Sequence, residues 1–153
     1  SDQNAPIEMQ QALLDAITTL DGVRLWHGTP YSLDGSVGWV LTQGRDGPHN
    51  AYSPEGEFGH SHRPQDGSMH LRLPATTAER VIDQGWGVRH PLSAQLTGGD
   101  ELMYLMVFGP RDEEELPVAW VIVQASYALA RGVDLENRGS AIVPDSWGHT
   151  KAR

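Results

Sequence analysis

Residues 57–73 read EFGHSHRPQDGSMHLRL, with an extended segment at each end and a turn containing Pro, Asp and Gly between them. Successive side chains of a strand point to opposite faces, so His60 and His62 share one face of the first segment. In the simplest antiparallel register His60 lies opposite His70, which therefore joins the same face. The sequence predicts a hairpin with three imidazoles on one face.

The opposite face of the second segment is apolar, because Met69, Leu71 and Leu73 alternate with His70 and Arg72. Such alternation is typical of a sheet that has helices on one face only. We therefore expect the histidines to line a polar hollow on the other face.

Outside the hairpin, apolar periodicity and turn residues predict the remaining elements of one domain. These are a helix over 5–20, a β-meander over 23–73, a short helix from Thr76 to Gly85, a central strand over 102–108 and a long apolar helix over 117–131. Together they predict a single domain, residues 1–153, of the α+β class: a mainly antiparallel sheet with helices packed on one face.

Four details of this assignment are testable. Thr76 and Glu79 have the spacing of a helix capping box. Residues 102–108 are apolar without interruption, which favours a strand covered on both faces. Residues 42–55 form the longest loop and are a candidate lid. The tail that contains Gly139, Pro144 and Gly148 is expected to be irregular.

The composition excludes several classes of function. Twenty acidic residues against eleven Lys and Arg give a net charge of -9, which argues against a nucleic-acid or membrane-surface partner. No apolar run approaches the roughly 20 residues of a membrane span, so we expect a soluble, cytoplasmic protein, although a signal upstream of Ser1 would not be visible. The absence of cysteine excludes disulfides, thiolate metal sites and thiol nucleophiles. The nucleophile elbow, the phosphate loop, the dinucleotide-binding fingerprint and the HExxH metal motif are also missing.

Four histidines lie within 31 residues, and their clustering is the main chemical signal. These are His60, His62, His70 and His90. One interpretation is a metal site of His60, His62 and His70, with Glu57 or Asp66 as an oxygen ligand. Another is an organic site, where one imidazole removes the proton of an enol and a second hydrogen-bonds the oxyanion. A third is that they are half-exposed strand histidines without chemistry.

Three further side chains are candidates for ligand binding. Trp86 lies between two glycines and would form a flat stacking wall, or else would fill the core at a helix end. Arg72 shares the histidine face and would hold a carboxylate or enolate oxygen, or else would pair with a surface acid. Tyr104 would supply a second flat wall. Residues 112–115 are acidic and favour a helix N-terminus, and we assign them no chemistry.

Four motifs occur in a characteristic order along the chain. They are EFGHSH at 57–62, SMHLRLP at 68–74, GWGVRHPL at 85–92 and GPRDEEEL at 109–116. In this order they resemble the luciferase-domain family, which contains the luciferases of bioluminescent fungi and small bacterial luciferase-like proteins. The resemblance covers residues 55–131. It does not extend to flavin-dependent bacterial or ATP-dependent insect luciferases.

The resemblance implies an oxygen-dependent reaction without a cofactor, in which a hydroxylated pyrone adds O2, passes through a cyclic peroxide and loses CO2. It implies a small-molecule substrate and O2 as the partners. Carried over to this chain, it makes the four histidines candidates for the base and oxyanion partners. From the residues themselves, we expect four further side chains at the substrate. The latter are Glu57, Arg72, Trp86 and Tyr104.

We therefore expect a luciferase-like oxidoreductase acting on an enolic aromatic or pyrone-type molecule. Two alternatives remain open at this stage. One is an enzyme dependent on a metal held by His60, His62 and His70, and the other is a module that binds a small molecule without turnover. Because relatives with one fold often differ in chemistry, the fold alone does not select among them.

Overall fold

The computed structural model describes residues 4–32 and 35–133, so the tail with Gly139, Pro144 and Gly148 lies outside the described residues. The helices are α1 (Ile7–Thr18), α2 (Ala75–Asp83), α3 (Ser93–Thr97) and α4 (Leu116–Arg131), with a 3-10 turn at His49–Ala51. The strands are β1 (Val23–His27), β2 (Val37–Leu41), β3 (Glu57–Ser61), β4 (Met69–Pro74), β5 (Gly87–Arg89) and β6 (Leu102–Val107).

The six strands form one sheet in the order β1-β2-β3-β4-β6-β5, and every described pairing is antiparallel. Helices α1, α2 and α4 pack on one face of this sheet, where the core lies. The predicted α+β class is therefore confirmed. None of the described helices combines the length and apolarity needed to cross a bilayer.

The alternation in β4 sets the two faces of the sheet. Met69, Leu71 and Leu73 are fully buried against the helices, whereas His70 and Arg72 are half-buried on the other face. Trp39 and Phe58 extend the helix-side core, with ring centroids 5.8 Å apart. Fully burying an apolar side chain of this size stabilises the fold by roughly 1.5–3 kcal/mol, so the face assignment of this hairpin is strongly determined.

The long helix α4 follows the prediction closely. Proline is tolerated in the first turn, and Gly132 ends the helix in a left-handed conformation with φ of 73°. The helix is not buried all round, however, because Val121 is 43% exposed.

The predicted capping box of α2 is wrong. The helix begins at Ala75, directly after the last residue of β4, and among the described residues no side chain caps it. Pro74 occupies the N-cap position, which places Thr76 inside the first turn instead of before it. The predicted stop at Gly85 is confirmed, since this residue has φ of 83° and follows the helix end.

Sequence periodicity missed β5 and α3, because segments of three and five residues are too short to carry a period. Helix α3 lies against β6, and the Tyr104 backbone N–H donates to Ser93 Oγ at 2.9 Å. This contact satisfies a backbone N–H on the edge of β6 that β5 leaves unpaired. Tyr104 and Leu105 point to opposite faces and both are buried, so β6 is covered on both faces as predicted.

Candidate functional site

The four clustered histidines converge on the face of the sheet opposite the core. His60 pairs directly with His70 across β3 and β4, as predicted. The ring of His70 is central, with its centroid 5.0 Å from His60, 4.5 Å from His62 and 4.9 Å from His90. His60 is only 2% exposed, and the other three are half-buried.

A bulge in β3 brings Glu57 to the same face. Trp39 of β2 pairs with Gly59, but the next residue, Val40, pairs with Glu57, so Phe58 is an extra residue in the strand. Simple alternation would place residues 57 and 60 on opposite faces, and the bulge cancels that difference. Glu57 Oε2 therefore lies 3.2 Å from Nδ1 of His60, with both side chains buried.

The carboxylate of Glu57 occupies the space beside Gly38, the residue that pairs with His60 from β2. A Cβ atom at position 38 would overlap Oε1 of Glu57. The glycine is thus required because the buried acid needs the room that a side chain would fill.

Replacing Gly38 with alanine is expected to displace Glu57 from His60 and to lower the free energy of unfolding by about 1–3 kcal/mol, because a buried hydrogen bond is lost. Chemical denaturation and the NMR signal of the His60 Nδ1 proton measure the two effects. Gly99→Ala is the control, since no atom lies within 4 Å of a Cβ there. An unchanged His60 proton signal in Gly38→Ala would contradict the expectation.

Hydrogen bonds fix the tautomers of two histidines. Glu57 has only acceptor oxygens when ionised, so Nδ1 of His60 carries the proton that it donates, and Nε2 carries the lone pair. Ser68 Oγ donates its one proton to Asp66 Oδ1 at 2.7 Å, and it must therefore accept from Nδ1 of His62 at 3.0 Å. Both histidines present an unprotonated Nε2.

His90 has the opposite tautomer. The backbone N–H of Leu92 donates to its Nδ1 at 3.1 Å, so Nδ1 is an acceptor and Nε2 carries the proton. Its ring centroid lies 5.0 Å from that of Tyr104. His90 is therefore a hydrogen-bond donor, in contrast to His60 and His62.

Burial keeps three of the four imidazoles uncharged. Burial, reinforced by the neighbouring histidines, lowers the pKa of His70 from 6.5 to about 3. Burial likewise lowers the pKa of His62 and of His90. Burial by itself would raise the pKa of Asp66, but hydrogen bonds from Ser68 outweigh it and lower the pKa. At neutral pH the rings of His62, His70 and His90 are therefore neutral.

A cavity of about 450 Å³ lies next to the cluster. Its wall on the sheet contains Glu57, His60, Arg72 and Tyr104. Of the four clustered histidines only His60 lines it, and the other three lie beside that wall. The remaining walls come from Tyr31, from the 42–55 loop through His49, Asn50, Tyr52, Ser53 and Pro54, and from the α3 region through Gln95, Leu96, Thr97 and Gly98.

Sequence reasoning missed those remaining walls, because they come from segments that only the tertiary fold brings together. The turn residues of the 42–55 loop were the available signal. Arg45 holds the loop by donating to the carbonyl oxygens of Leu41, Pro54 and Glu55. Its role as a lid stays a prediction.

Arg72 and Tyr104 form the charged part of the cavity wall. The guanidinium carbon lies 5.2 Å from the centroid of the Tyr104 ring. Arg72 makes no ion pair within residues 4–32 and 35–133, and its buried Nε has no hydrogen-bond partner there. Burial lowers the pKa of Arg72 and raises the pKa of Tyr104 to about 12, so Tyr104 keeps its proton.

Trp86 does not join the site. It lies on the helix-covered side of the sheet, where it packs against the core and lines a groove with Val81 and Val118. Of its two predicted roles, the structure shows the core-filling one, because the residue precedes β5 and faces α2 and α4. The acidic stretch at 112–115 has a structural role, since Asp112 Oδ1 accepts from the Glu115 backbone N–H at 2.9 Å.

The nitrogen atoms of His60, His62 and His70 also lie close enough for a metal ion. One ring nitrogen from each lies within 4.8 Å of the others. Glu57 and Asp66 instead contact the histidines or Ser68. They are therefore placed to orient ligands and not, as the sequence also allowed, to coordinate an ion directly.

The sheet, the histidine cluster and the adjoining cavity define a small α+β domain with a polar site on its open face. Residues 55–126 match the family model described as Luciferase domain. All eight residues predicted for the site lie in this segment. The resemblance identified from the motifs is therefore confirmed over these residues.

The relatives found are fungal. Proteins named Luciferase from Armillaria gallica, Armillaria mellea and Neonothopanus nambi are each 39% identical to this chain over 70 residues. The matched region is 46% of this chain and 26% of each relative, so the chain spans about a quarter of their length. No solved structure matches the chain.

Proposed function

We propose that this protein is a luciferase-like oxygenase that binds an enolic aromatic or hydroxypyrone-type molecule as its anion in the cavity beside the histidine cluster. The bound enolate then reacts with O2. The family match and the names of the fungal relatives support the class of reaction. The geometry of the cavity supports the class of substrate.

The observation that carries the proposal is the lack of an ion-pair partner for Arg72 among the described residues. A buried cation costs free energy unless an anion accompanies it, yet no described residue forms an ion pair with this guanidinium. An enolate or carboxylate oxygen would fill that role through charge-assisted hydrogen bonds. The Tyr104 hydroxyl, protonated beside it, supplies a further donor.

In the proposed reaction, His60 accepts the proton of the enol. Glu57 holds Nδ1–H, and Nε2 meets no hydrogen-bond partner among the described residues. A carboxylate that orients an imidazole in this way fixes its tautomer and stabilises the imidazolium that proton transfer creates. His90, with its protonated Nε2, is a donor of the cluster but does not line the cavity, so Arg72 and Tyr104 are the partners of the oxyanion in this proposal.

The proposed reaction of the enol with O2 needs no further reactant. The enol O–H proton moves to Nε2 of His60, and the enolate carbon gives an electron pair to O2 as the new C–O bond forms. The resulting peroxide anion recovers the proton from the imidazolium. One substrate molecule and one O2 thus become one hydroperoxide.

Oxygen uptake by metal-free protein tests the proposal with two compounds, 3-hydroxy-2-pyrone and its 3-methoxy ether. Only the hydroxy compound can form the anion, so only it should be consumed. Arg72→Met keeps the side-chain length but removes the charge, and it is expected to raise KM roughly 10–100-fold, equivalent to about 1.5–3 kcal/mol. Arg24→Met, on the exposed edge strand, is the control.

Two results would overturn the proposal in different ways. Tight binding of the hydroxypyrone without oxygen uptake would favour the binding module. Uptake of the methoxy ether at the same rate would reject ionisation of the substrate as the first step.

A further inference from the structure

We propose that His60, His62 and His70 form a binding site for a divalent transition metal such as Zn²⁺, with Glu57 and the Ser68–Asp66 pair as the groups that orient the ligands. This site goes beyond the proposed oxygenase reaction, which uses no metal.

Proximity of the ligand atoms is the first argument. The three nitrogens lie within 4.8 Å of one another, and two of the three histidines sit opposite each other in a rigid antiparallel pair. Ligands about 2.0–2.1 Å from a tetrahedral Zn²⁺ require a somewhat closer approach, which small rotations of the half-buried His62 and His70 rings would supply.

The second, independent argument is the hydrogen bonds that Glu57 and Ser68 make with the proposed ligands. A ligating histidine normally donates its other N–H to a carboxylate or a similar acceptor, which fixes the tautomer and raises the basicity of the ligand. His60 does so to Glu57, and His62 does so to Ser68, whose hydroxyl in turn donates to Asp66. Both therefore present Nε2 lone pairs. Nε2 of His60 is buried and lacks a hydrogen-bond partner in the part of the chain described here.

The chemistry of the donor atoms narrows the choice of metal. The donor set contains imidazole nitrogen only, a set that suits zinc, copper or nickel better than magnesium or calcium. His90 is excluded as a ligand through Nδ1, which already accepts the Leu92 N–H.

The metal and the proposed reaction share one atom. Nε2 of His60 has a single lone pair, so it cannot bind an ion and accept a substrate proton together. Loading the site is therefore expected to suppress oxygen uptake. The binding test below does not depend on that activity.

Isothermal titration calorimetry with Zn²⁺ tests the site. The protein is prepared without a polyhistidine tag and is stripped of metal with a chelator. We expect a single ion per chain. Glu57→Gln and Ser68→Ala, which leave all three ligands in place, are each expected to weaken binding by about 10–100-fold, and His70→Ala should weaken it further. Circular dichroism and a thermal melt establish that each variant is folded.

Two controls separate this site from adventitious binding. His27→Ala removes an exposed histidine of β1, and His90→Ala removes a neighbour of the cluster that is not a ligand. Unchanged affinity in both supports the assignment. Absence of binding to the parent protein, or a loss in either control as large as that in His70→Ala, overturns it. If a variant fails to fold, Co²⁺ bound to the parent protein, displaced by Zn²⁺ and showing nitrogen coordination in its spectrum, decides the question.

Discussion

Replacing His60 with glutamine is expected to lower the turnover number for oxygen uptake by about 10²–10⁴-fold, the usual contribution of a positioned general base. Glutamine can still form hydrogen bonds at this position, but it cannot accept the substrate proton. The affinity for the hydroxypyrone should change little, because Arg72 carries the charge interaction with the anion. Initial oxygen-uptake rates in metal-free protein, together with a separate binding titration, measure the two quantities.

Two comparisons sharpen this result. Glu57→Gln retains His60 but alters the partner that fixes its tautomer, and it should lower turnover by less than His60→Gln does. His27→Gln changes a histidine outside the site and should leave turnover intact. Turnover in His60→Gln equal to that of the parent would reject His60 as the proton acceptor.

Acidification of the metal-free protein is expected to lower the free energy of unfolding as pH falls from 6.5 toward about 3, through His70. In this window the unfolded chain binds a proton at residue 70 that the folded protein excludes, whereas above it both states are neutral and the contribution is complete. A shift of this size corresponds to at most about 5 kcal/mol, and solvent contact on the half-buried ring reduces the loss to about 2–3 kcal/mol. The lowered pKa values of His62 and His90 act in the same direction.

Urea unfolding followed by circular dichroism over this pH range measures the loss. The His70→Gln variant has no group to protonate at this position, so its stability should fall less steeply than that of the parent. His27→Gln should follow the parent. Parallel curves for the parent and His70→Gln would show that acid sensitivity arises elsewhere.

The face that carries the histidines shows how much of the site the local sequence pattern predicts. The alternation of residues 57–73 was sufficient to predict the hairpin, its register and the convergence of His60, His62 and His70, and the structure agrees. The same alternation, followed strictly, would have separated Glu57 from His60. The bulge at Phe58 joins them, and it depends on the pairing with β2, a strand about 20 residues earlier in the chain.

The ligand-binding candidates show the same division. Arg72 and Tyr104 lie on strands with clear patterns, and both line the cavity. Trp86 lies beside the three-residue strand β5, where no period indicates a face, and it packs on the helix side. For an isolated aromatic residue between glycines, the sequence is compatible with a ligand-binding role and with a role in the core. The packing of α2 and α4 against Trp86 selects the role in the core.

The sequence by itself determined the longer helices and strands and the face on which the clustered strand histidines lie, because these follow from the periods of consecutive residues and from the free energy of burying apolar surface. Only the tertiary structure decided the tautomers of the histidines, the partner of Glu57 and the walls of the cavity. The cavity walls are contacts between segments far apart in the chain, such as Asn50 donating to the carbonyl of Thr97 at 2.6 Å, and the contact of Glu57 with His60 depends on the pairing of β3 with β2. No local period encodes such contacts, since each depends on how whole strands and loops come together.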